Sequence, residues 1–195
     1  MIDLKKYLYE KTKQIIEKWD EDGIYAISFF VYANEAFEYK QYSNVCEFAI
    51  SYNTEKFCEN ASPHSEERWN YAFWQMNTSH IIDPNAENDE GIKVLFEWYG
   101  ENGVKNIGIE DFDNAYDENM MYIGKGAGGL SELLTVVSDV ARQLQEEGFI
   151  AQKFGKIPIV IHDLEYSWYT IDATKNANPN GEAEVFFEAL EKGFE

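Results

Sequence analysis

Basic residues are scarce in this chain. Lys and Arg together number 16 against 36 Asp and Glu, a formal net charge of −20 over 195 residues. A surface of that sign repels phosphates and anionic headgroups and attracts basic partners. Cysteine is scarce too. The two thiols, Cys46 and Cys58, sit inside apolar patterns with no short ligand motif around them. Free, buried, reduced thiols are expected, without the local signature of an activated nucleophile. Long apolar runs are missing, so none approaches membrane-spanning length. No apolar core follows the N-terminal Met-Ile-Asp-Leu-Lys-Lys, so no signal peptide is expected. These absences predict a cytoplasmic protein that binds neither nucleic acid nor membrane. No cofactor motif is found, and no cofactor is expected.

What is present is a well-stocked core. Apolar residues make up 45% and aromatics 16%, which argues against disorder. The organising stretch is 23–52. Residues 24–32 are apolar or aromatic at nearly every position, the pattern of a strand buried on both faces. Residues 45–52 alternate, with Cys46, Phe48, Ile50 and Tyr52 on one face and Val45, Glu47, Ala49 and Ser51 on the other. That suits a strand covered on one side. The interval between them is too long for a tight hairpin turn.

Helices are expected on either side of this pair. Leu4, Leu8, Ile15 and Trp19 line a stripe over 2–19, and Gly23 stands where a terminating glycine would. Asn53 or Thr54 is placed to cap a short helix carrying Phe57 and Cys58. Ser62-Pro63 and Ser65-Glu66-Glu67 signal a helical turn to about Trp69, and the aromatics of 70–76 then favour a strand. Ile92, Leu95, Phe96 and Tyr99 have helical spacing closed by Asn102-Gly103, although alternation keeps a strand open there. Residues 104–124 are irregular. Leu130, Leu133, Leu134, Val137, Val140, Ala141 and Leu144 form one apolar helical face. A short buried strand at 157–162 and a last helix with Phe186, Phe187 and Leu190 complete the pattern. The order argues for a single α+β domain over 1–195, a mostly antiparallel sheet of about four strands packed by several helices.

Four stretches could carry chemistry. Gly124-Lys125-Gly126-Ala127-Gly128-Gly129 opens a helix and could face a phosphate, but it lacks the P-loop pattern and a strong preceding strand. A flexible connector is the plainer expectation. Glu110, Asp111, Asp113, Asp117 and Glu118 fail the EF-hand spacing, with Ala115 and Tyr116 where a ligand and glycine belong, and read as a solvated acidic loop. His162, Asp163 and Glu165 stand at the end of a buried strand, where active-site groups and divalent-metal ligands can sit. Trp69, Tyr71, Phe73, Trp74 and Trp98 read first as core. Any exposed part, rimmed by Glu66, Glu67 and Glu97 and joined by Arg68, would suit an arginine-rich partner.

The run 24–32, Ser51-Tyr52-Asn53-Thr54-Glu55, Arg68-Trp69 with Trp74 after it, and Ile159-Val160-Ile161-His162-Asp163 before Asn178-Pro179 together resemble the bacterial family catalogued as domain of unknown function four-three-zero-three. The likeness covers nearly the whole chain. It implies a compact single domain and picks out Asn53, Thr54, Arg68, Trp69, Trp74 and Asp163. It brings no activity, only an association of small acidic families with immunity to bacterial toxins. Two functions therefore stay open. One is a non-enzymatic protein that neutralises or sequesters a basic protein partner, with Arg68, Trp69, Trp74, Glu66, Glu67 and Glu97 as binding residues. The other is a divalent-metal-dependent hydrolase or metal-binding protein using His162, Asp163 and Glu165. Arg68, scarce and beside aromatics, is expected to stack on a ring and pair with a distant carboxylate, Asp163 first.

Overall fold

The computed structural model describes residues 2–36, 39–59 and 61–194. Asp3 opens the first helix by accepting from the Lys6 N–H at 2.9 Å. This helix, α1 (Leu4–Glu17), buries Leu4, Leu8, Thr12 and Ile16. It stops well before Gly23, so that glycine does not end it. Gly23 has φ +74° and serves the turn into the first strand instead.

Strand β1 (Ile24–Asn34) is the backbone of the molecule, buried along most of its length. It pairs antiparallel with β2 (Val45–Thr54), with Phe29 opposite Ile50 and Val31 opposite Phe48. Both faces of β2 are buried up to Ile50, against the expectation of one open face. The reason is cross-strand. Phe30 and Tyr32 lie opposite Ala49 and Glu47, and their large side chains cover the small and polar partners. A short strand β3 (Ser79–Ile82) adds antiparallel to β2, and β4 (Ile159–His162) lies parallel to β1. The sheet is therefore mixed, in the order β3-β2-β1-β4.

The remaining helices are α2 (Glu66–Trp69), α3 (Glu90–Asn102), α4 (Leu130–Glu146), α5 (Phe149–Phe154), α6 (Trp168–Ala177) and α7 (Glu184–Lys192). One face of the sheet, with Ile27, Phe29, Phe48, Ile50, Ile159 and Ile161, packs in a single cluster with α1, α3 and α4. The other face carries a smaller aromatic core in which Tyr25, Ala26 and Val160 meet Trp69, Trp74 and Phe186. The fold class is α+β, as the pattern of elements predicts.

Several local expectations are corrected. After Thr54 there is a turn rather than a helix, although the Thr54 hydroxyl does accept from the Phe57 N–H at 3.3 Å. After Trp69 comes a 3-10 turn, Tyr71–Phe73, and no strand. Its N-terminus is set by Asn70, whose side chain accepts from the Ala72 N–H. Residues 92–99 are helical, and Gly103 closes α3 at φ +67°. Strand β3 and helices α5 and α6 were not expected. Among the described residues no helix is long and apolar enough to cross a membrane.

Candidate functional site

Of the five aromatics read first as core, Trp69 and Trp74 are buried, Tyr71 and Trp98 are half-buried and Phe73 is exposed. The indole N–H groups of Trp69 and Trp74 donate to the carbonyls of Pro63 and Arg68. Arg68 stacks its guanidinium on the Tyr25 ring, 3.9 Å from the centroid. Its carboxylate partner is Glu55, not Asp163. Nη1 and Nη2 reach the two Glu55 oxygens at 2.9 and 2.5 Å, a bidentate fork. That bond holds the Glu55 carboxyl below its ordinary value and raises Arg68 above its own. Glu66 and Glu67 are exposed on α2. Glu97 is exposed on α3, whose apolar side belongs to the other core. The structure joins Arg68, Trp69 and Trp74 as a packing node and does not gather the three glutamates around it.

The strand end at His162 is closed in the same way. His162 is 1% exposed, and Tyr71 stacks on its ring at 4.3 Å. Nδ1 faces the Asp163 carbonyl at 2.8 Å, so Nδ1 carries the proton. Nε2 then accepts from the Ser28 hydroxyl at 2.6 Å. Desolvation pushes the imidazole down to about 4, against the opposing pull of Asp163. A Ser–His pair of this kind is the nucleophile-and-base arrangement of acyl-transfer enzymes. Here Ser28 and His162 are both buried, and the Tyr71 ring is stacked on the imidazole.

The Asp163 carboxylate accepts from the Tyr169 and Ser167 hydroxyls and from the Glu165 N–H. Glu165 itself is exposed. Both histidine nitrogens and the aspartate are thus taken within the chain. Among the described residues no three His, Cys, Asp or Glu side chains stand together as a metal site requires. Both cysteines are free and buried, and burial pushes the Cys46 thiol up to about 12.

The segment expected to be a solvated acidic loop is the unusual surface. Ile109, Phe112, Tyr116, Met120, Met121 and Ile123 are between 47% and 75% exposed. Between them stand Glu110, Asp111, Asp113, Asp117 and Glu118, with no Lys or Arg in 109–123. The backbone is nevertheless ordered. Tyr116 and Tyr122 form a bridge, and the Ile123 N–H donates to the Ala115 carbonyl at 2.8 Å. Asp117 accepts from the Asn119 and Met121 N–H groups at 2.8 Å each, and Trp168 donates its indole N–H to the Gly124 carbonyl. The apolar side chains are therefore displayed by a structured frame rather than left out by a lack of one.

The glycine-rich stretch belongs to this frame. A Cβ on Gly128 would meet the Asn106 carbonyl oxygen at 2.2 Å, so the backbone can approach only there without a side chain. Gly128 and Ile107 form a bridge at that contact. Its glycines answer to packing, and Gly126 gives its N–H to the Tyr122 hydroxyl at 2.9 Å. The sequence signal for the surface was available in the mixture of Met, Phe and Ile with carboxylates, which a fully solvated loop does not need.

No family model, no curated protein and no solved structure matches this chain.

Proposed function

We propose that this chain is a non-enzymatic binding protein that sequesters a basic protein partner, and that the 109–123 segment is its contact surface. The observation that carries the reading is the ordered display of six large apolar side chains among five carboxylates with no cation. Exposed apolar groups of this density mark interaction sites, and aromatic and methionine side chains are favoured in interface cores. The charge decides the partner. A net −20 steers a basic protein towards the surface, and the five local carboxylates give its lysines and arginines counter-charges at the rim. A toxin neutralised by an immunity protein is one partner of that chemistry, and the cytoplasm is a compartment where both would meet.

Capture from lysate at low and high salt, run in parallel with the wild-type chain and a Phe112→Ser, Met120→Ser, Met121→Ser variant, tests this. A basic polypeptide held by the wild type, released by salt and lost from the variant is the expected result. Identical retention by both proteins, or retained partners that are acidic, would overturn the assignment.

A further inference from the structure

Strands β1 and β4 run parallel, and a polar cavity of about 190 Å³ lies beside the last residues of β1, with Tyr169 lining it from α6. In open parallel sheets, crevices outside the carboxyl ends of strands are the usual ligand sites. Tyr32, Asn44, Glu110, Tyr122, Gly126 and Tyr169 line this one. Drug-sized ligands occupy roughly 300–1,000 Å³, so the space suits a smaller group.

Four donors around the cavity are already engaged. Tyr122 donates to Glu110 Oε1 at 2.6 Å, and Tyr169 donates to Asp163 Oδ2 at 2.6 Å. The Gly126 N–H is taken by the Tyr122 oxygen, and the Asn44 amide donates to the Gly108 carbonyl. Burial, then the bond to Glu110, pushes Tyr122 up to about 12, and burial and the Asp163 bond raise Tyr169, so both phenols keep their protons. What the cavity still offers is the second Glu110 oxygen, the Tyr32 hydroxyl and the three tyrosine rings of its lining. No Lys, Arg or His among the described residues pairs with Glu110 or Asp163. An anion would meet the Glu110 carboxylate with no Lys, Arg or His in the lining to offset it. A cation rich in N–H donors finds acceptors and aromatic faces together.

We propose that this cavity binds an alkylammonium or guanidinium head, supplied as a lysine or arginine side chain of the partner. Glu110 accepts the donors and Tyr32, Tyr122 and Tyr169 flank the charge. The source of the cation rests on the reading of the 109–123 surface. The preference for a cation rests on the cavity alone.

Titration of the full chain with n-butylammonium, butylguanidinium and, as the anionic control, butyrate tests the cavity, followed by NMR of ring-labelled tyrosines. Saturable shifts at Tyr32, Tyr122 and Tyr169 with the two cations, on the order of 1 mM, and none with butyrate are expected. Glu110→Gln should weaken binding at least fivefold, while Glu97→Gln, exposed on α3 and outside the cavity, should leave it unchanged. Absence of saturable shifts, or equal binding by Glu110→Gln, would sink the proposal. A short acetylated and amidated Gly-Lys-Gly peptide separates the sources. Binding at least as tight as butylammonium supports a side chain, and its exclusion while butylammonium binds assigns the cavity to a free amine and overturns the side-chain source. The triple serine variant should still bind butylammonium, so failure of the surface and failure of the cavity read out separately.

Discussion

The carboxamide of Asn178 closes both outward backbone hydrogen bonds of Ile159. Its Oδ1 accepts from the Ile159 N–H at 2.9 Å, and its Nδ2 donates to the Ile159 carbonyl at 2.8 Å. Two residues along, Thr174 does the same for Ile161 with one hydroxyl, at 2.9 and 3.0 Å. β4 is the edge of the sheet, and an edge leaves a row of unpaired N–H and C=O groups. Side chains from α6 and the residue that caps it stand in for a missing fifth strand.

Asn178→Ala should therefore be severe. Besides Ile159, Asn178 bonds the Thr174 carbonyl and accepts from Gln145 Nε2 at 3.1 Å, all in the interior. Truncation leaves several buried groups unpaired at about 1–3 kcal/mol each, so a loss of about 3 kcal/mol or more is expected. Urea unfolding reads it. A loss below about 1 kcal/mol would mean the edge is satisfied by other means.

Arg68→Ala should cost about 1–3 kcal/mol, mainly by removing packing on Tyr25 rather than by orphaning a charge. The Arg68 side chain is 15% exposed, whereas Glu55 is 58% exposed and regains water when its partner goes. Glu55→Gln should consequently cost less than about 1 kcal/mol. The Tyr25 hydroxyl also donates to the Arg68 carbonyl at 2.6 Å and accepts from Asn53, so the backbone of this node survives either change. Thermal melts of the two variants should differ in that order, and the reverse order would refute the account.

The long periodic elements were legible because their signal is local. The apolar face of α4 and the continuous run of β1 each state their burial residue by residue. β3 is four residues with Ser79 and His80 in its first half, too short to show a period. α6 hides because half of its buried residues are Thr170 and Thr174, chosen for hydrogen bonding to β4 and the preceding turn rather than for apolarity. Site residues were harder for a different reason. His162 looks like chemistry in sequence, but its partner Ser28 is 134 positions away and both are buried, with Tyr71 stacked on the imidazole. The cavity draws on β1, the 104–129 segment and α6, so no stretch of sequence contains it.

Serine at Phe112, Met120 and Met121 should leave stability within about 0.5 kcal/mol of wild type, because solvated side chains contribute little to folding. All three are more than half exposed. Differential scanning calorimetry checks this, and a drop of several degrees would show that the segment belongs to the core and not to a contact surface.

Stability should also fall with acid through His162, in a direction that follows from its burial. The imidazole ordinarily takes a proton near 6.5, and in the fold it does so only at about 4. Between those values the unfolded chain binds a proton that the folded chain refuses, so stability rises with pH there. The contribution is complete above about 6.5, is lost as pH falls towards 4, and changes no further below that. A difference of that size corresponds to about 3 kcal/mol. His162→Gln removes the titration while keeping a group that can bond Ser28, and the carboxylates titrate in both proteins. Urea melts at pH 7 and pH 4 should then show the wild type losing about 3 kcal/mol more than the variant. Equal losses would mean that the folded protein admits a proton to this site, and that the space under Tyr71 is not closed to water.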